Sequence, residues 1–181
     1  MGVSSQFTME YFRVTKYDHS KFGTDEYLND WTSVSDIGKT FGGIVLTPEI
    51  YTEAENNYIN LLCEFIKENN VSAFNICGLE IYGVEETLDR INSFGVSTPQ
   101  RAKELIDSIQ KTKKIEGIEN ISALARLILR EVLWCKLEHP CMFVHFGYDY
   151  YMYIGCNKKI GKNRYIEGMY IDPFKSPYLD C

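Results

Sequence analysis

Cys141-Met142-Phe143-Val144-His145-Phe146-Gly147-Tyr148-Asp149-Tyr150-Tyr151-Met152-Tyr153-Ile154-Gly155 sets two aromatic and aliphatic runs on either side of Gly147-Tyr148-Asp149. It reads as a β-hairpin with its turn at those three residues. Working outward, Arg164 to Ile171 supplies a further strand, and Pro173 to Pro177 ends the sheet. Upstream, Pro140 closes a helical region in which Ile121, Leu124, Ala125, Ile128, Val132 and Cys135 form an apolar stripe. Leu127, Leu129, Leu133 and Trp134 widen that stripe nearly all the way round, which predicts a central, buried helix.

Thr98-Pro99 opens another amphipathic helix through Ala102, Leu105, Ile106 and Ile109, with Lys111, Lys113 and Lys114 suited to its C-terminal end. Val84, Leu88 and Ile91 suggest a short helix, and Val71 to Tyr82 a strand. Thr47-Pro48 starts a long helix, because Thr caps and Pro suits the first helical position, and Asn69-Asn70 ends it. Its apolar stripe is Tyr51, Ala54, Tyr58, Leu61, Leu62 and Phe65. Glu10 to Tyr17 reads as the first strand, and Asp18 to Phe41 as an irregular segment anchored by Trp31.

Helices and strands fall in blocks, which favours an α+β fold. The expectation is a predominantly antiparallel sheet with a C-terminal meander, packed against several helices including the central buried one. Residues 1–181 suit a single domain, with about 1–8 as a loose N-terminal extension.

The composition is 45% hydrophobic and 14% aromatic with 13 Tyr, an endowment that suits a sheet, a contact surface or both. The net charge of -6 is uneven: 6 basic residues face 15 acidic ones up to Thr98, against 13 and 10 from Pro99 onward. Such a chain should repel nucleic acid and anionic membranes and attract a basic partner; the same acidity also serves solubility alone. The first thirty residues lack the basic and apolar regions of a signal peptide, and the most apolar stretch, Ile121 to Leu137, is interrupted by Arg126 and Arg130. Cys63, Cys77, Cys135, Cys141, Cys156 and Cys181 form no CxxC pair, so reduced thiols and a cytoplasmic location are expected.

Ser33-Val34-Ser35-Asp36-Ile37-Gly38-Lys39-Thr40 ends like a phosphate-binding loop, but Ser33 replaces the required first glycine and Gly42-Gly43 interrupts the helix that should follow. An ordinary turn is expected there. Cys135, His139, Cys141 and His145 are four zinc-type ligands within eleven residues, yet their spacing is irregular, so no metal site is expected. No signature supports Cys and His as nucleophile and base, and no cofactor is expected. Two features suit a binding surface: the acidic line Glu49, Glu53, Glu64 and Glu68, and Tyr148, Asp149, Tyr150, Tyr151 and Tyr153 on the hairpin, with Tyr148 and Asp149 as its contact residues. A solvated helix face and cross-strand aromatic packing are the alternatives.

Tyr11-Phe12-Arg13-Val14-Thr15-Lys16-Tyr17, Trp31 to Lys39 and Phe143 to Gly155 resemble a group of small bacterial proteins, some similar to immunity proteins of polymorphic or contact-dependent toxin systems. The similarity runs from the first strand to Pro177-Tyr178. It implies a non-catalytic role, binding a cognate toxin domain in the cytoplasm, and no catalytic residue carries over. An acidic inhibitor suits a basic nuclease, since opposite fields speed encounter. The rival expectations are a small enzyme with a pocket near the aromatic hairpin using Asp149 and His145, and a structural or scaffold protein.

Overall fold

The computed structural model describes residues 8–157 and 166–179. The expected N-terminal extension up to residue 7, Arg164, Tyr165 and Cys181 lie outside these residues. In chain order the elements are β1 (Glu10–Thr15), α1 (Asp25–Leu28), β2 (Thr40–Phe41), β3 (Ile44–Val45), α2 (Pro48–Asn69), β4 (Ala73–Ile81), α3 (Val84–Ser93), α4 (Ala102–Thr112), β5 (Lys114–Glu116), α5 (Ile118–Leu129), β6 (Leu133–His139), β7 (Met142–Phe146), β8 (Met152–Cys156) and β9 (Tyr170–Pro173).

Seven strands form one antiparallel sheet in the order β5-β4-β6-β7-β8-β1-β9, and β2 with β3 makes a separate two-stranded hairpin. The fold is thus α+β, with β6, β7 and β8 consecutive as a meander. The expected C-terminal meander stops there, however: β1 lies between β8 and β9, pairing Phe12 with Ile154 on one side and with Pro173 on the other. The N-terminal strand completes the hydrogen bonding of β8, and β9 covers the edge that β1 would otherwise leave open.

The expected long central helix is also corrected. α5 stops at Leu129, and Leu133 to His139 is the strand β6 between β4 and β7. The stop is a Schellman turn: the Val132 amide donates to the Leu127 carbonyl (3.0 Å) and the Glu131 amide to the Ile128 carbonyl (2.9 Å). Glu131 takes the left-handed conformation, φ 60°, usually left to glycine. A strand covered on both faces reads as a continuous apolar run, which is why periodicity merged it with the helix.

The main core lies between the sheet and α2 and α5. Val14, Leu137, Met142, Val144, Phe146, Met152 and Ile154 meet Tyr58, Leu61, Leu62, Phe65, Leu124 and Ile128 there. Phe143 and His145, on the opposite face of β7 by strand alternation, lie beneath the C-terminal segment 174–179. A side chain at Gly155 would collide with the Phe143 ring, 2.1 Å from an ideal Cβ, so glycine here lets the ring lie flat across β8. Among the described residues no helix is long and apolar enough to cross a membrane.

Candidate functional site

The α2 helix forms as its sequence dictates. The Thr47 side chain accepts from the Ile50 amide, Pro48 occupies the first turn, and Asn70 closes the helix in the left-handed conformation. Tyr51, Tyr58, Leu61, Leu62 and Phe65 are buried, while Glu49, Glu53, Glu64 and Glu68 are exposed along a line on the other side. Hydrogen bonding to Thr47 and to its own amide holds the Glu49 carboxyl below the usual carboxylate range. Glu49 and Glu53 border a shallow depression with Thr52, Asn56 and Asn57.

Tyr148 and Asp149 are exposed at the β7–β8 turn, where the Tyr17 hydroxyl donates to the Asp149 carbonyl (2.9 Å). Their neighbour Tyr150 is buried against Tyr51 and Tyr58 on the inner side of α2. The hairpin therefore grips the helix from below, with the glutamates on its outer side. Tyr148 belongs instead to a separate groove of about 410 Å³. The groove is bounded by the end of β4, α3, the α5–β6 turn and the hairpin, with Tyr82, Arg90, Glu131, Trp134 and Tyr148 on its walls.

Trp134 is fixed there by a hydrogen bond from its Nε1 to the Phe146 carbonyl (2.9 Å), and Tyr82 by one from its hydroxyl to Glu80 (2.7 Å). Desolvation pushes the Glu131 carboxyl up, Arg90 opposing the shift and Asp36 adding to it. A pocket near the aromatic hairpin thus exists, but neither Asp149 nor His145 lines it.

His145 lies on the opposite side of the sheet from the main core. Its Nδ1 and Nε2 sit 2.8 Å from Ser176 Oγ and 2.7 Å from Glu138 Oε1, and its ring stacks on Phe143. Hydroxyl, imidazole and carboxylate follow the order of a nucleophilic triad. Ser176 Oγ, however, already accepts from the Tyr178 amide, and both side chains are closed off from solvent. Lys136 also donates to the Tyr178 carbonyl, so this cluster fastens the C-terminal segment to the sheet.

The other zinc-type residues point apart. Cys135 belongs to the main core, burial pushing its thiol up to about 12, while His139 Nδ1 accepts from the Cys141 amide. Among the described residues no three His, Cys, Asp or Glu side chains are grouped to hold a metal ion. Ser33 caps a 3-10 turn over Val34–Asp36, and Lys39 pairs with Asp36 (2.7 Å), giving the ordinary turn expected of that segment.

Two buried charge clusters carried no visible sequence signal. Glu55, within the otherwise apolar inner face of α2, receives Arg126 and Arg130 from α5. Lys16 lies 2.7 Å from Asp30, with its ammonium 4.0 Å from the ring centroids of both Tyr17 and Trp31. Glu55 depends on arginines more than seventy residues away, and Lys16 on the irregular segment folding Asp30 and Trp31 back over it. No family model, curated protein or solved structure matches the chain.

Proposed function

We propose that this chain is a non-catalytic cytoplasmic immunity protein that binds and neutralises a cognate, basic bacterial toxin domain, with a nuclease as the toxin class. The observation that carries the reading is the line of exposed glutamates, Glu49, Glu53, Glu64 and Glu68, on a helix whose opposite side is locked into the core. A helix packed on the core presents the carboxylates without a backbone-ordering cost on association, and opposite charge accelerates encounter. Exposed Ile50 on the same helix, with Ile44 and Val45 on the preceding hairpin, adds apolar surface. Tyr148 and Asp149 form a second element of the proposed interface.

The test is coexpression with the product of the neighbouring gene, which on this reading encodes the toxin domain. Native protein should protect the cells, and E53K/E64K, folded as judged by its thermal transition, should associate more slowly, lose salt dependence and protect less. Full protection by the reversed variant removes the glutamates from the interface; none by the native protein rejects the immunity reading. The groove at the hairpin favours a second reading, a small enzyme with its pocket there, whose residues would be those of the groove wall rather than His145 and Asp149.

A further inference from the structure

We propose that the groove at the end of the β7–β8 hairpin binds a small aromatic zwitterion, of which a free aromatic α-amino acid is the simplest form. Its volume of about 410 Å³ suits a small molecule. Tyr82, Trp134 and Tyr148 supply aromatic walls, and Trp134 and Tyr82 are held in place by the hydrogen bonds to Phe146 and Glu80.

Two opposite charges line the same space: Arg90 from the last turn of α3 and Glu131 from the α5–β6 turn. Neither side chain has an ion pair or hydrogen bond among the described residues, although each lies within the other's field. Unpaired opposite charges flanking aromatic walls complement a ligand carrying carboxylate and ammonium on an aromatic body. The carboxylate would take the forked guanidinium of Arg90, and the ammonium would take Glu131 with cation–π support from the rings.

Glu131 is one of five non-glycine residues, with Asn70, Arg101, Lys113 and Tyr150, that take the left-handed backbone among the described residues. Its left-handed turn position favours glycine, so the glutamate holds a strained conformation while placing a carboxylate on the groove wall.

The experiment is calorimetric titration of the whole protein with L-phenylalanine, phenethylamine (no carboxylate) and N-acetyl-L-phenylalanine (no ammonium). L-Phenylalanine should bind saturably, and each truncated analogue at least about tenfold more weakly, the usual effect of losing one charge-assisted hydrogen bond. R90Q should erase the preference over phenethylamine, and E131Q the preference over the acetylated analogue. E131G should lose that same preference while unfolding at higher denaturant, which separates loss of the ligand contact from loss of the fold. No saturable binding of L-phenylalanine up to about 10 mM, equal binding of all three compounds, or preferences untouched by the variants would overturn the proposal. The glutamate line lies outside the groove, so the charge-reversal arm of the coexpression assay does not bear on this outcome, although Tyr148 belongs both to the groove wall and to the proposed interface.

Discussion

Replacing Glu55 by alanine should be among the most damaging single changes at the α2–α5 contact. Glu55 has no exposed surface, and Arg130 is only 4% exposed. The carboxylate accepts from Arg130 Nε and Nη2, both at 2.6 Å, and from Arg126 Nη1 at 2.5 Å. Arg126, at 25% exposure, can turn its head to water, whereas Arg130 is held by Glu55 and the Ser97 carbonyl (2.7 Å). E55A therefore strands one buried guanidinium, a change that costs about 3–5 kcal/mol when one partner of a buried pair is removed. E55A/R130M removes both charges and refills the space with apolar atoms, so it should recover most of that loss. Urea unfolding followed by far-UV circular dichroism would read this as a fall in midpoint at constant slope for E55A, reversed in the double variant. A loss under about 1 kcal/mol for E55A, or a double variant as unstable as the sum of the single ones, would show that Arg130 is not stranded.

L62A, which empties a fully buried site, should cost about 2–5 kcal/mol, whereas E53Q on the exposed side should change stability by under about 0.5 kcal/mol; equal effects in urea unfolding would mean that the faces of α2 are misassigned. Burial lowers the Lys16 pKa to about 8 from 10.5, Asp30 and Asp36 opposing the shift. Below about 8 the lysine is charged in both states and the folded protein carries the full burial cost; between 8 and 10.5 the unfolded chain binds more protons, so this group adds stability as pH rises. Between pH 8 and 10 the stability of the native protein relative to K16M should rise by up to about 2–3 kcal/mol; buried tyrosines such as Tyr51 and Tyr58, whose raised pKa values act in the opposite direction as the unfolded chain ionises, are common to both proteins, and parallel profiles would contradict the assignment.

The features legible in the sequence are local. Thr47-Pro48 and Asn69-Asn70 carry their own start and stop chemistry, so α2 was legible to the residue. The hairpin was equally legible, because Gly147-Tyr148-Asp149 interrupts two runs of strand-forming residues. The exposure of the four glutamates followed from the 3.6-residue period alone. Tertiary structure decided the rest. Leu133 to His139 is a strand because β4 and β7 bond to both its edges, and its apolar run gave no sign of that. β1 separates β8 from β9 through pairings that span more than a hundred residues. The groove likewise joins Tyr82, Arg90, Glu131 and Tyr148 from four segments, and its aromatic walls and unpaired charges meet only when β4, α3, the α5–β6 turn and the hairpin close around one space, a relation that local spacing does not encode.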